Sequence, residues 1–157
     1  MRLYFVRHGI AEDGDGIQDF DRKLTKEGVE QMRVAAKAMA KLKIAPACIY
    51  TSPRVRARQT ADIVGEALGV KVEVCEEVGF EFNIQAVESL IADLSDGDDV
   101  LFVGHEPSFS ETVSEIIGGG KVVMKKGGLA RLDVFSRKPL RGALVWLIAP
   151  RVFETLT

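Results

Sequence analysis

The apolar positions of this chain arrive in short bursts. Leu3, Tyr4, Phe5 and Val6 run without a polar break and give way at once to Arg7 and His8. Four apolar residues are too few for a buried helix and suit a central strand. An irregular, acid-rich stretch follows over residues 12–21. Thr25 then reads as an N-cap, with Val29, Met32, Ala36, Met39 and Ala40 on one face of a helix reaching about Leu42. Pro46 breaks that pattern, and "ACIYTS" predicts a second strand. Ser52 and Pro53 together predict a helix start, serine as cap and proline at the first helical position, with the helix continuing through Ile63, Val64, Ala67 and Leu68 to Gly69. "VKVEV" predicts a third strand. Ile84, Val87, Leu90, Ile91 and Leu94 repeat at three and four, the clearest amphipathic helix in the chain, and "SDGD" ends it. "DVLFVG" is a further buried strand. Ser108 and Glu111 have capping-box spacing and predict a helix to about Ile117, stopped by the glycines at 118–120. "KVVMK", "LARLDVF" and "ALVWLIA" predict two or three last strands, hairpin-like or mixed.

Strands alternating with helices of about a dozen residues imply crossover connections, hence an α/β fold with a largely parallel sheet covered on both faces. The 157 residues suffice for one core, so residues 1–157 are expected to form a single domain. Ligands of such sheets bind beyond the carboxyl ends of the strands. Three places qualify: Arg7 and His8, Ser52 to Arg56, and His105.

Composition narrows the class. The chain is 46% hydrophobic and 28% charged, which fits a soluble globular protein, and its net charge of -2 argues against nucleic acid as a partner. The first apolar run stops at Val6, unlike a secretory leader, and the longest, Ala143 to Ala149, is far short of the ~20 residues that cross a bilayer. Cys48 and Cys75 are far apart and lie in strand-like segments, as core thiols of a cytoplasmic protein would.

Only two histidines occur, His8 and His105, and both directly follow predicted strands of the parallel core. Arg7 precedes the first. Arg56 falls in the first turn of a helix whose N-terminus faces the same edge, where free amides and the helix dipole favour an anion. The planar guanidinium fork matches phosphoryl oxygens, so two arginines beside two imidazoles describe a phosphate pocket. For Arg54 and Arg58 a solvated helix face is an equal alternative.

"RHG" at Arg7 to Gly9, "SPRVRARQTA" at Ser52 to Ala61 and "VGHEP" at Val103 to Pro107 resemble the signature segments of the histidine phosphatase superfamily. "RKLTKEG" at Arg22 to Gly28 and the ending "WLIAPR" bring the chain most closely to its SixA-type phosphohistidine phosphatases. The resemblance implies a three-layer, phosphoglycerate mutase-like sandwich and a metal-independent phosphatase without cofactors. It makes His8 the transiently phosphorylated nucleophile, with Arg7, Arg56 and His105 holding the phosphoryl group. Gly9, where the backbone would turn close to the phosphate, and Ser52, Arg22, Glu106 and Lys126 become substrate-binding candidates. The implied substrate is a phosphorylated protein, a histidine phosphotransfer protein among the candidates, or a small phosphorylated molecule; neither nucleic acid nor a membrane is implied.

An imidazole leaves phosphohistidine far more readily than an alkoxide leaves an ester, so the need for a general acid separates substrates. Glu81 is the candidate acid, although the insertion that carries it in mutase-type relatives is missing. A phosphomonoesterase and a non-catalytic phosphate-binding module are the alternatives.

Two further patterns fail on their own terms. Asp13 and Asp15 begin a calcium-loop spacing, but Ile17 and Leu24 occupy ligand positions. "GGGK" at Gly118 to Lys121 lacks the first glycine and the hydroxyl of a P-loop. The acidic loop after His8 either borders the cleft or is solvated and mobile, the second being the expectation, and Lys125 or Lys126 is available to assist phosphate or protein docking.

Overall fold

The computed structural model describes residues 1–156. Strands β1 (Arg2–Arg7), β2 (Cys48–Thr51), β3 (Val72–Val74) and β4 (Val100–Gly104) pair in parallel, and β5 (Leu129–Arg137) and β6 (Leu140–Ile148) extend the sheet as an antiparallel hairpin. The order across the sheet is β3-β2-β4-β1-β5-β6. The core strands are therefore β4 and β1, which is why both read as unbroken apolar runs.

Alternation along those strands builds two apolar layers. Leu3 and Phe5 of β1, with Val100 and Phe102 of β4, face helices α3 (Ile84–Ile91) and α4 (Ser108–Ile116), where they meet Val87, Ile91, Phe109 and Val113. Tyr4 and Val6, with Leu101 and Val103, face α1 (Lys26–Lys41) and α2 (Val55–Leu68), packing on Met32, Met39, Ala57 and Val64. A last short helix, α5 (Pro150–Thr155), begins with proline at its first turn and buries Phe153 in the second layer. Helices on both faces of one mostly parallel sheet make the expected three-layer sandwich.

Several local expectations need correction. Helix α2 starts at Val55 with Arg54 as its N-cap, two residues beyond the serine–proline signal. The Ser52 hydroxyl accepts the Arg54 N–H and is otherwise taken up by His105, so it is not available as a conventional cap. Helix α4 has no Ser108–Glu111 capping box. Its orphan amide at Ser110 bonds the Glu106 carboxylate instead, and that carboxylate also accepts the Ser110 hydroxyl. "KVVMK" is not a strand, since the Met124 carbonyl accepts from the Arg7 guanidinium rather than from a neighbouring strand. Cys75 lies just past β3, buried, and Cys48 is half-buried in β2; both are free thiols.

Gly9 is packed closely against the first helix. A Cβ there would sit 2.8 Å from Met32 Cγ and 3.2 Å from the Gly28 carbonyl oxygen, and one on Gly28 would fall 2.0 Å from the Ile10 oxygen. The two glycines let the chain leaving β1 lie directly against the first turn of α1, whose N-cap Thr25 accepts the Gly28 N–H.

Candidate active site

The strand ends converge because the register is flush. Arg7 of β1 pairs with Gly104 of β4, and Val103 with Thr51 of β2, so residues 8, 105 and 52 all emerge one step beyond the ladder. The ladder holds them further: the His8 N–H donates to the Gly104 carbonyl and the Ser52 N–H to that of Val103. From the other side, the turn at 125–128 closes on the same segment. Gly128 O accepts the Arg7 N–H, while the Gly127 N–H reaches the carbonyls of Arg7 and His8, with Gly127 at φ 76°, a left-handed conformation suited to glycine.

The His8 and His105 ring centres are 5.3 Å apart. His8 Nδ1 lies 2.7 Å from its neighbour's carbonyl, Gly9 O. A carbonyl only accepts, so Nδ1 carries the proton of the neutral ring and Nε2 is left with its lone pair. The Gly9 N–H in turn donates to Thr60 Oγ1, whose hydroxyl donates to the Arg56 carbonyl. Thr60 is fully buried and couples the His8 loop to the first turn of α2. Sequence reasoning passed over it, because a threonine at mid-helix carries no signal until the partner across the gap is known.

His105 Nε2 lies 2.7 Å from Ser52 Oγ, and its Nδ1 is buried with no hydrogen-bond partner among the described residues. Arg7 Nε is likewise buried and unpartnered. Buried polar atoms are seldom left unmet, and both of these belong to residues at the carboxyl edge of the sheet. Arg56, only 3% exposed, donates through Nη1 to the Asp19 carbonyl at 2.8 Å and through Nη2 to its carboxylate at 3.3 Å. Asp19 also accepts from Arg54 at 2.9 Å and from Arg22 at 3.0 Å.

The acidic loop therefore departs from expectation. Asp13 and Asp15 are exposed, but a 3-10 turn at Asp19–Asp21 pins Asp19 onto three arginines. Burial alone would raise the Asp19 carboxyl, yet the bond from Arg22 and the charges of Arg56 and Arg54 hold it below the usual carboxylate range.

The remaining candidates divide. Arg22 meets the site through Asp19 and bonds the Glu12 carbonyl at 2.8 Å, and its charge reaches Arg56. Glu106 caps α4 while its charge opposes the lowering of the Arg7 pKa that burial causes. Lys126 is exposed, and its charge reaches His8. Glu81 is exposed, and the contact from its loop to the histidines comes from Phe80, whose ring meets His105 edge-on at 4.8 Å. Arg54 leaves the solvated-face alternative and joins the site, whereas Arg58 stays exposed.

Burial pushes the His8 pKa down to about 4. The Gly9 bond opposes this, and the charges of Arg56, Arg7 and Lys126 add to it. Burial, then His8, Arg56 and Arg54, push His105 to about 3. Both rings are neutral at pH 7, and the surrounding guanidiniums favour an anion over a metal cation. Both pKa values lie below that of a histidine in the unfolded chain, so the unfolded state binds more protons as pH falls, and stability declines from about pH 6.5 downward. The loss should reach at most about 2 kcal/mol per histidine by pH 5. Urea midpoints measured from pH 7.5 to 5 in phosphate-free buffer should fall in wild type and fall about half as steeply in His105→Gln; a flat wild-type profile would contradict the neutral assignment.

The histidine phosphatase superfamily (branch 1) model matches residues 3–93, which take in Arg7, His8 and α2 with Arg56 and end before His105. An uncharacterized protein of Picosynechococcus sp. is 34% identical over 84% of each chain. Phosphohistidine phosphatase SixA of Escherichia coli is 28% identical over 76% of each. The protein histidine phosphatase SixA complexed with tungstate superposes with a TM-score of 0.86 at 25% identity, covering 97% of this chain and 99% of that one. The fold is thus shared across nearly the whole chain and the sequence likeness across most of it, and the protein belongs to the histidine phosphatase superfamily, branch 1, as a hydrolase of the SixA-like fold.

Proposed function

We propose that the protein is a phosphohistidine phosphatase that works through a covalent intermediate on His8. One observation carries the reading: the Gly9 carbonyl fixes the His8 proton on Nδ1, leaving the Nε2 lone pair free on a ring that the charges of Arg56, Arg7 and Lys126 reach. Nε2 attacks phosphorus as the substrate's P–N bond breaks. The departing ring, protonated on its other nitrogen, leaves as neutral imidazole with the bonding pair. Water then attacks the phosphohistidine, the His8–phosphorus bond breaks with its pair returning to Nε2, and inorganic phosphate departs. Arg7, Arg56 and His105 hold the phosphoryl oxygens through the charge redistribution. Ser52 orients His105, Gly9 and Thr60 orient His8, and Lys126 adds long-range attraction.

The oxyanion bound by the tungstate-complexed SixA supports a pocket for a tetrahedral anion, and the name of the Escherichia coli relative supports phosphohistidine as substrate. The exposed position of Glu81 favours the same choice, since an ester substrate would need an acid at the leaving oxygen. On this reading residues 1–157 act as one catalytic domain on a cytoplasmic phosphorylated protein, a histidine phosphotransfer protein being the chemical type. The test is rapid quenching of the enzyme with a chemically phosphorylated, histidine-bearing protein in EDTA. Acid-labile, alkali-stable phosphate on His8 and release of inorganic phosphate are expected. Turnover with no trapped intermediate would refute the covalent route, and binding without turnover would leave a recognition module.

A further inference from the structure

Beside the anion pocket the structure carries apolar surface that the phosphoryl chemistry does not use. Phe80 is 47% exposed and Phe20 44% exposed, and both border the arginines of the charged site. Between them lies the Arg54 guanidinium, 3.8 Å from the Phe80 ring centre and 5.7 Å from that of Phe20. Phe80 also stands edge-on to His105 at 4.8 Å, and the Arg56 guanidinium is 5.7 Å from its ring centre. Arg54 is held in place by Asp19 at 2.9 Å, and its N–H donates to Ser52, the residue bonded to His105. The aromatic wall is thus tied to the groups that flank the phosphoryl position.

We infer that Phe80, backed by Arg54 and Phe20, forms a subsite for the planar ring that leaves the phosphoryl group. This rests on the P–N cleavage proposed above and adds how the leaving group is recognised. A group attached to a phosphoryl held by Arg56 and His105 emerges within reach of Phe80. An imidazole there gains contact with the ring of Phe80, which the stacked Arg54 guanidinium holds in place. A polyhydroxylated leaving group, such as a sugar or glycerate, would set its hydroxyls against Phe80 and lose their hydrogen bonds to water. The wall therefore selects heteroaromatic leaving groups and disfavours polyol esters.

The experiment compares phosphoimidazole with phosphoramidate, two P–N donors that differ in the presence of a ring. In Phe80→Ala the ratio of their kcat/KM values, phosphoimidazole over phosphoramidate, should fall about 3- to 10-fold from wild type. Phe80→Tyr, which keeps the ring, should preserve it. Disturbance of His105 by the truncation slows both donors alike and cancels in the ratio, so a merely structural Phe80 predicts an unchanged ratio and overturns the subsite. An effect seen only with a phosphorylated protein and not with phosphoimidazole also overturns it, marking the two phenylalanines as a protein-docking surface. Wild-type enzyme that hydrolyses neither donor nor a phosphohistidine protein refutes the P–N reading itself, whereas retained turnover with an unchanged ratio refutes the subsite alone.

Discussion

The His8→Asn substitution is expected to lower kcat on phosphoimidazole by about 10⁴- to 10⁶-fold, the scale seen when a covalent nucleophile is removed. Asparagine is close to histidine in reach, and its amide can still donate to the Gly9 carbonyl that receives Nδ1–H. The flush β1–β4 register and the backbone bonds of residue 8 do not depend on the side chain, so the fold should persist. Arg7, Arg56 and His105 remain, so inorganic phosphate should still bind, a result that separates loss of the nucleophile from loss of the pocket. Residual turnover above about 1% of wild type would assign nucleophilic attack elsewhere. Calorimetric phosphate titration alongside steady-state kinetics reads both quantities from one preparation.

The second large effect is expected at Arg56, where Arg56→Ala should reduce kcat/KM by roughly 10²- to 10³-fold, the loss typical of a donor aimed at developing charge. Arg56→Lys should recover only part, because an ammonium restores charge without the planar fork. Two consequences distinguish this from general damage. Asp19 keeps its bonds to Arg54 and Arg22 in both variants, so the loop over the pocket should stay in place. Inhibition by inorganic phosphate should weaken together with kcat/KM. A variant that loses kcat/KM but binds phosphate as tightly as wild type would exclude Arg56 from the anion pocket. In the resting protein the Asp19 carboxylate already occupies part of this guanidinium, so an incoming phosphoryl group either shares Arg56 or displaces that carboxylate.

The central pattern was legible because it depends on short-range rules. The β1 and β4 runs are apolar because they are buried on both faces, and that same burial delivers His8 and His105 to the carboxyl edge. Arg56 could be placed from its position in the first turn of a helix at the same edge. What sequence could not resolve were partnerships formed across the fold. Ser52 reads as a helix cap in isolation, but His105, 53 residues away, has the stronger claim on its hydroxyl. Asp19 belongs to an acidic run resembling solvated loop, and only the position of three arginines singles it out. Phe80 sits beside the more conspicuous Glu81, and nothing in local composition says which of the two faces inward. The close packing of Gly9 on the first turn of α1 likewise depends on a partner that its own segment does not reveal.

The pairing of Arg7 with Gly104 makes the sheet itself the ruler of the pocket. Adjacent strands lie about 4.8 Å apart, and the two rings that leave those strands are centred 5.3 Å apart. The separation of the two rings is therefore inherited from the spacing of the backbone strands rather than tuned by side-chain packing alone. A slip of one residue between β1 and β4 would exchange Leu3 and Phe5 with Tyr4 and Val6 across the two layers, at the cost of the whole core. The spacing of the histidines is consequently as hard to change as the fold, and variation among proteins built on this plan is free to act at the rim, on the loops that carry Asp19, Phe80 and Lys126.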